Sequence, residues 1–261
     1  MHNFDFVKPA SVAEATKAMS AEGAQALSGG QTLLPTMKQR LAQPSVLVSL
    51  TGIAEMKGVS ASGGNLTIGA ATPHAVVAAE AARHYPALAA LAGGIGDPAV
   101  RNRGTIGGSL ANNDPAACYP SATLASGATV VTNKRRIAAD DYFQGMFSTA
   151  LEEGEIITSV VFPIPEKAAY VKFNQPASRF ALTGVFVAKY ASGVRVAVTG
   201  ASNNGVFRWT DAEKALSASF SAGAIDGLSV DDSDMIADLH GSAAYRANLV
   251  KVLTKRAVSA A

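Results

Sequence analysis

The sequence predicts an α+β protein that divides into more than one subdomain. Its 261 residues exceed the typical single domain of about 100–150 residues. With 48% hydrophobic and 16% charged residues, the composition is that of a globular chain and excludes disorder. Short strand-like runs alternate with Ala-rich stretches, and Pro163-Ile164-Pro165 interrupts any helix or strand. We therefore expect three units, over residues 1–55, 56–163 and 164–261.

The first unit has the pattern of a small βαβ arrangement. Ser11 followed by Glu14 has the spacing of a capping box, which predicts a helix from Val12 to about Ser20. The elements that follow are, in order, a strand, a turn, a helix and a strand, over residues 24–27, 29–30, 33–41 and 46–50.

The second and third units differ in their strand patterns. The second unit is predicted to contain strands over residues 65–68, 129–131 and 156–162 and helices over residues 75–83 and 88–92. The third is predicted to form antiparallel strands over residues 170–173, 181–190 and 194–199. After Ser242 the chain predicts an amphipathic surface helix, with Tyr245, Leu249 and Leu253 on its apolar stripe and Arg246 on its polar side.

Charge and cysteine content exclude several classes of function. The formal net charge is only +2, and no Lys/Arg run exceeds the three of residues 134–136, so a nucleic-acid surface is disfavoured. The single cysteine, Cys118, cannot close an internal disulfide or hold an iron–sulfur cluster by itself. The four histidines lack metal-ligand spacing, so we assign no metal. Without a signal-like start or an apolar run of about 20 residues, we expect a cytoplasmic protein with no membrane span.

Two glycine-rich loops carry the strongest functional signal. The first, residues 28–32, lies between a short apolar strand and a helix, so its glycines allow a tight turn with backbone N–H groups facing outward. The second, residues 101–109, places three glycines beside the guanidinium groups of Arg101 and Arg103. Together they suit a pyrophosphate, although each alone is compatible with an ordinary turn.

Two common nucleotide-binding motifs are not supported. Neither loop continues into Gly-Lys-Ser/Thr, so the lysine of an ATP-binding P-loop is missing. Residues 94–99 have the spacing GxGxxA, but a helical segment precedes them and Pro98 is expected to interrupt the helix that should follow. We therefore reject ATP hydrolysis and a Rossmann site.

The extended loops, Ser28 to Pro35 and Arg101 to Ala117, resemble the FAD-binding medium subunit of molybdenum hydroxylases, the carbon monoxide dehydrogenase and xanthine dehydrogenase group. The resemblance continues along nearly the whole chain, through residues 68–72, 155–157, 197–201 and 205–208. It implies a p-cresol methylhydroxylase-type FAD-binding fold. In that fold a small α/β subdomain and a larger α+β subdomain precede a C-terminal three-stranded antiparallel sheet with helices.

The resemblance also implies how FAD is bound. Both loops are expected to bind its pyrophosphate, through Ser28, Gly29, Gly30, Gln31 and Thr32 of the first loop and Thr105, Ile106, Gly107, Gly108 and Ser109 of the second. Asp114 is expected to contact the cofactor, although Asp114 in isolation is equally compatible with an Asx turn. Ile157 and Lys172 match positions near the isoalloxazine ring, but Lys172 is also the kind of residue that an exposed strand face commonly carries. Some relatives in the wider FAD superfamily attach the flavin covalently through a histidine of the first loop. Gln31 offers no such nucleophile, so we expect noncovalent FAD.

By this resemblance the chain is an electron-transfer subunit. Electrons would pass from an iron–sulfur small subunit through FAD to a quinone, NAD or oxygen, while a molybdopterin large subunit hydroxylates the substrate. The expected assembly is a dimer of heterotrimers. Two alternatives remain at this stage: a self-sufficient FAD-dependent oxidase or reductase of the same fold, and a nonenzymatic assembly subunit whose glycine loops are only turns.

Overall fold

The protein is described by a computed structural model that covers Met1–Ala261 and contains three β-sheets. The first sheet has three parallel strands in the order β1-β3-β2 and confirms the βαβ arrangement of the first unit. Its elements are β1 (Asp5–Val7), α1 (Val12–Ala18), β2 (Ala24–Leu27), α2 (Leu33–Lys38) and β3 (Val46–Ser49). Ser11 caps α1 as the capping-box spacing predicts, because its Oγ accepts from the Glu14 N–H at 3.2 Å, but the Glu14 carboxylate accepts at 2.8 Å from the N–H of Ala10, one residue before the cap. Strand β1 was not predicted, and α2 ends three residues before the predicted boundary.

The second sheet has five strands in the order β4-β5-β8-β6-β7. Its strands are β4 (Val59–Ser62), β5 (Asn65–Gly69), β6 (Thr129–Thr132), β7 (Arg136–Ala138) and β8 (Ile157–Pro163). The helices of this region are α3 (His74–Glu80), α4 (Pro86–Gly93), α5 (Pro98–Arg103), α6 (Ile106–Asn112), α7 (Tyr119–Ala125) and α8 (Ala139–Tyr142). The predicted strands of the second unit are therefore all present.

The third sheet is antiparallel and has the order β12-β11-β10-β9. The three predicted strands are β9 (Lys167–Asn174), β10 (Ala181–Tyr190) and β11 (Gly193–Ser202), and the short β12 (Gly205–Arg208) extends the sheet at one edge. Two helices follow, α9 (Thr210–Ala218) and α10 (Ala243–Ala260); α10 begins directly after Ser242, as predicted, and Ser242 caps it. None of the helices combines the length and hydropathy that a membrane crossing needs.

Helix α10 corrects the expected position of Arg246. Its side chain is buried rather than on the polar side, and Tyr245 of the predicted apolar stripe is 40% exposed. The guanidinium donates to both Asp238 carboxylate oxygens at 2.9 and 2.8 Å and to the Gly200 carbonyl oxygen at 2.7 Å. A buried charge is tolerated when it is paired and hydrogen-bonded, and periodicity alone does not reveal such a partner.

Two hydrophobic cores meet at strand β10. Phe186 and Ala188 belong to the core of the first two sheets, whereas Val185 and Val187 belong to a second core with α9 and α10. Successive side chains of a strand point to opposite faces, so β10 is buried on both sides and joins the third sheet to the rest of the protein. The division at residues 55/56 and 163/164 stays a prediction.

Candidate cofactor-binding cleft

The two glycine-rich loops meet at the mouth of one cleft. The first loop joins β2 to α2, whereas residues 101–109 comprise the end of α5, the junction of Gly104 and Thr105, and the first turn of α6. Their hydroxyl groups are in direct contact, with Ser28 Oγ 2.7 Å from Thr105 Oγ1. The cleft has a volume of about 770 Å³, within the range of about 300–1,000 Å³ found for small-molecule sites. Every candidate residue named from the sequence lines this cleft except Ile106, which is fully buried in the core.

The first loop presents unpaired backbone donors. The N–H groups of residues 29–33 have no acceptor within the chain. Gly30 has φ +70°, which side chains rarely adopt, and a Cβ on Gly29 would lie 2.2 Å from the Arg103 carbonyl oxygen. The loop therefore fits an anion such as a pyrophosphate, and it needs glycine at both positions.

The second loop contributes a close approach between elements, and the N–H groups of its Gly107 and Gly108 are already paired. The Gly107 N–H donates to the Ala70 carbonyl oxygen at 2.9 Å, and the Gly108 N–H donates to Thr105 Oγ1 at 3.2 Å. A Cβ on Gly107 would lie 2.7 Å from the Ala70 Cβ. Its glycines thus hold α6 against the chain at Ala70, and small side chains leave the cleft open.

The two arginines of the second loop do not line the cleft. Arg101 Nη1 donates to the carbonyl oxygens of Ile95 and Gly96 at 3.0 and 2.9 Å, and Arg103 is exposed. Although both arginines are next to the glycines in the sequence, neither guanidinium group is part of the cleft wall. Arg101 instead holds the turn before α5.

Asp114 lies at the cleft in an Asx turn, with one carboxylate oxygen accepting from the Ala116 N–H at 2.8 Å. Strand β11 supports this turn from behind. The Thr199 hydroxyl oxygen lies 2.8 and 2.7 Å from the carbonyl oxygens of Pro115 and Ala117, either of which can accept its one hydrogen, and the Gly200 N–H donates to the Pro115 carbonyl oxygen at 2.7 Å. Both interpretations of Asp114 are therefore compatible with its position.

Lys172 reaches into the cleft rather than standing free on β9. Its Nζ donates to the carbonyl oxygens of Gly94 and Arg179 at 2.9 and 2.8 Å and lies 3.6 Å from Cys118 Sγ. Ile157, at the start of β8, also lines the cleft. The ammonium group thus adds a positive charge to a wall that is otherwise rich in apolar side chains.

Several cleft residues were not predicted as site residues. His74 begins α3, is 5% exposed, and has an Nδ1 atom with no hydrogen-bond partner. Its burial, with a smaller effect of Arg101, lowers its pKa to about 4, so the ring is neutral at pH 7. The β9–β10 loop also contributes residues 177–180. A sequence pattern offers no signal for these residues, because each reaches the cleft through contacts distant along the chain.

The rejected GxGxxA segment also borders the cleft, through Ile95, Gly96 and Asp97. Helix α4 precedes it, as expected. Pro98 does not interrupt a helix, however, since it is the first residue of α5 and Asp97 caps that helix by accepting from the Val100 N–H at 2.9 Å. The segment is a turn between two helices, unlike the strand-to-helix turn of a Rossmann site.

Glu155 is a buried carboxylate at the edge of the cleft. Burial alone would raise its pKa, but hydrogen bonds from Arg135, the Glu152 N–H and Thr132 outweigh that effect and lower the pKa to about 2. The group is therefore ionised and fully engaged at neutral pH. Its position agrees with a structural role in the turn before β8.

Comparison with known proteins identifies the family. Residues 2–165 match the family described as FAD binding domain in molybdopterin dehydrogenase. The chain belongs to this family. The FAD-binding chain is 36% identical to the nicotine 6-hydroxylase medium subunit of Paenarthrobacter nicotinovorans, over 97% of this chain and 95% of that protein. It is 31% identical to the carbon monoxide dehydrogenase medium chain of Hydrogenophaga pseudoflava, over 99% and 96% of the two chains.

Solved structures agree with this assignment. The FAD-binding chain is similar to a chain of reconstituted CO dehydrogenase from Oligotropha carboxidovorans, with a TM-score of 0.89, 30% identity, and coverage of 99% and 97% of the two chains. It is also similar to quinoline 2-oxidoreductase from Pseudomonas putida 86, with a TM-score of 0.88, 29% identity, and coverage of 100% and 97%. The predicted fold and the membership of an oxidoreductase family with FAD as cofactor are thereby confirmed.

Proposed function

We propose that this FAD-binding chain is the electron-transfer subunit of a molybdenum hydroxylase complex. It accepts electrons from an iron–sulfur partner subunit and delivers them through noncovalently bound FAD to an external acceptor. The observation that carries the proposal is the hydroxyl contact between Ser28 and Thr105, which joins loops 77 residues apart at the mouth of one cleft. Gly29 and Gly107 permit this close approach, because a Cβ at either position would clash with neighbouring backbone atoms.

The free N–H groups of residues 29–33 bind the pyrophosphate of FAD, since they are the unpaired donors of the first loop. Across the mouth, residues 105–109 keep that position open by carrying only small side chains near the first loop. When bound, FAD supplies the chemistry that links a one-electron donor to a two-electron acceptor.

Ile157 and Lys172 line the same cleft as the two loops and would lie beside the isoalloxazine ring. Ile157 provides an apolar contact there, and Asp114 accepts a hydrogen bond from the cofactor with the carboxylate oxygen left free by its turn. Two carbonyl oxygens fix Lys172 Nζ, so its positive charge is held at the cleft and favours negative charge on the ring.

Two observations support the proposal of partner subunits: the chain has only one cysteine, and a similar enzyme is described with a molybdenum cofactor. A single cysteine cannot hold an iron–sulfur cluster, so the electron donor is carried by another chain. The similar Hydrogenophaga enzyme is described with a molybdenum cofactor that contains Mo-pyranopterin. We propose an iron–sulfur small subunit and a molybdopterin large subunit as partners, in a cytoplasmic dimer of heterotrimers, with the hydroxylation step on the large subunit.

Composition of the purified complex tests this function. The chain is isolated from its own host under mild conditions, and FAD, iron and molybdenum are measured per copy of the chain. We expect one FAD with the chain, and iron and molybdenum only in fractions that contain two further subunits. A chain that turns over an organic substrate alone would support the self-sufficient oxidase or reductase instead, and a colourless chain would support the assembly subunit.

A further inference from the structure

The only thiol of the chain faces an amine in the cofactor cleft. Cys118 lies directly before α7 and Lys172 lies on β9, and both line the cleft. Cys118 Sγ is 3.6 Å from Lys172 Nζ, and the carbonyl oxygens of Gly94 and Arg179 hold Nζ in that position. The two groups are therefore fixed next to each other.

A second feature beside the thiol is an unused hydroxyl group. Tyr170 precedes Lys172 by two residues on the same strand and therefore shares its face. Its oxygen is fully buried and has no hydrogen-bond partner, and burial, followed by the neighbouring Cys118, raises its pKa well above the usual range. The group thus remains a neutral donor. An oxygen atom attached to Cys118 Sγ would accept the hydrogen bond that the Tyr170 hydroxyl otherwise has no partner to donate to.

We propose that Cys118 and Lys172 form a peroxide-sensitive modification site. Hydrogen peroxide transfers one oxygen to Sγ, its O–O bond breaks, and water leaves, which converts the thiol to a sulfenic acid. Lys172 Nζ releases a proton to solvent and attacks Sγ, so that an N–S bond forms and the S–O bond breaks with release of a second water. One peroxide is reduced, and the Cys118–Lys172 pair loses two hydrogen atoms.

Lys172 captures the oxidised sulfur because the chain offers no competing thiol. A sulfenic acid ordinarily condenses with a second cysteine or with a nitrogen nucleophile, and Cys118 is the only cysteine. The N–S bond removes the positive charge of Lys172 and ties β9 to the start of α7. The effect of that change on FAD rests on the proposed function, whereas formation of the bond depends only on the two side chains.

Peptide mapping of the full chain tests the cross-link. The protein is treated with hydrogen peroxide, digested without reductant, and analysed by mass spectrometry. We expect one peptide pair that joins Cys118 to Lys172, lighter by two hydrogens than the sum of its parts and separated by dithiothreitol. Conversion of Cys118 to sulfinic or sulfonic acid without a joined pair would overturn the proposal, and this result can be read from the wild-type protein alone.

Lys172→Arg is the matched variant, since a guanidinium keeps the charge but is a poor nucleophile. In this variant we expect Cys118 to proceed to sulfinic acid at a peroxide dose that leaves the wild type cross-linked and recoverable. Equal irreversible oxidation of both proteins would also overturn the proposal. A failed cross-link leaves the pyrophosphate loops untouched, whereas a chain that cross-links but never binds FAD contradicts only the proposed function.

Discussion

Gly29→Ala is the substitution that most sharply tests the contact between the two loops. A Cβ at this position would lie 2.2 Å from the Arg103 carbonyl oxygen and 2.6 Å from the Gly104 Cα. Ordinary van der Waals contact begins at 3.4 Å, so the Cβ would be more than an ångström too close to the carbonyl oxygen. Both neighbours are backbone atoms, so a side-chain rotation cannot relieve the clash. The loops must separate, and the 2.7 Å contact of Ser28 with Thr105 must lengthen.

Overpacking of this kind costs about 1–3 kcal/mol. If the whole cost falls on the FAD-binding arrangement, the affinity for FAD decreases roughly 5- to 150-fold. The assay is titration of the apoprotein with FAD, followed by flavin fluorescence, with thermal unfolding of the apoprotein measured in parallel. Gly227→Ala is the matched control, because nothing lies within 4 Å of a Cβ there. Gly29→Ala with wild-type FAD affinity would refute the proposed contact between the loops and the cofactor.

Three further predictions follow from named contacts. Ser28→Ala removes the hydroxyl contact with Thr105 and should weaken FAD binding by about 0.5–1.5 kcal/mol. In the same titration the FAD dissociation constant should therefore rise roughly two- to tenfold. An unchanged constant would contradict the role of this contact. Ionised Glu155 stabilises the fold above its ordinary pKa of 4.5, and this contribution is lost as the pH falls towards its folded pKa of about 2. Glu155→Gln should therefore lower the melting temperature more at pH 7 than at pH 3, and an equal loss at both would count against the ion pair. The folded protein lowers the pKa of His74 from 6.5 to about 4, so the unfolded chain takes up this proton at a higher pH than the folded one does. The free energy of unfolding of the wild type should therefore decrease as the pH falls from 6.5 to about 4, and His74→Gln should remove this part of the pH dependence in denaturant unfolding. The same pH slope in both proteins would contradict the lowered pKa.

The sequence identified the loops because their glycines are required for local geometry. Gly30 has a positive φ, and both Gly29 and Gly107 sit where a Cβ would meet neighbouring backbone, so glycine patterns report the fold directly at these positions. The capping residues Ser11 and Ser242 were likewise predictable, since each bonds an N–H group three residues later in the chain.

Other features depend on partners that lie far away in the sequence. Arg246 was placed on the polar side of α10, but it is buried, and Asp238 and two distant carbonyl oxygens accept from its two Nη atoms. His74 reaches the cleft by packing beside Gly104 and Tyr119, which no local pattern indicates. Strand β1 is three residues long and wholly exposed, so it lacks the hydrophobic alternation that marks a half-buried strand.

The most direct test of the central claim is a crystal structure of the chain with FAD bound, alone or within its complex. We expect the pyrophosphate oxygens within hydrogen-bond distance of the N–H groups of residues 29–33, beside the contact of Ser28 with Thr105. A pyrophosphate located outside this cleft, with the N–H groups of the first loop still free, would contradict the account.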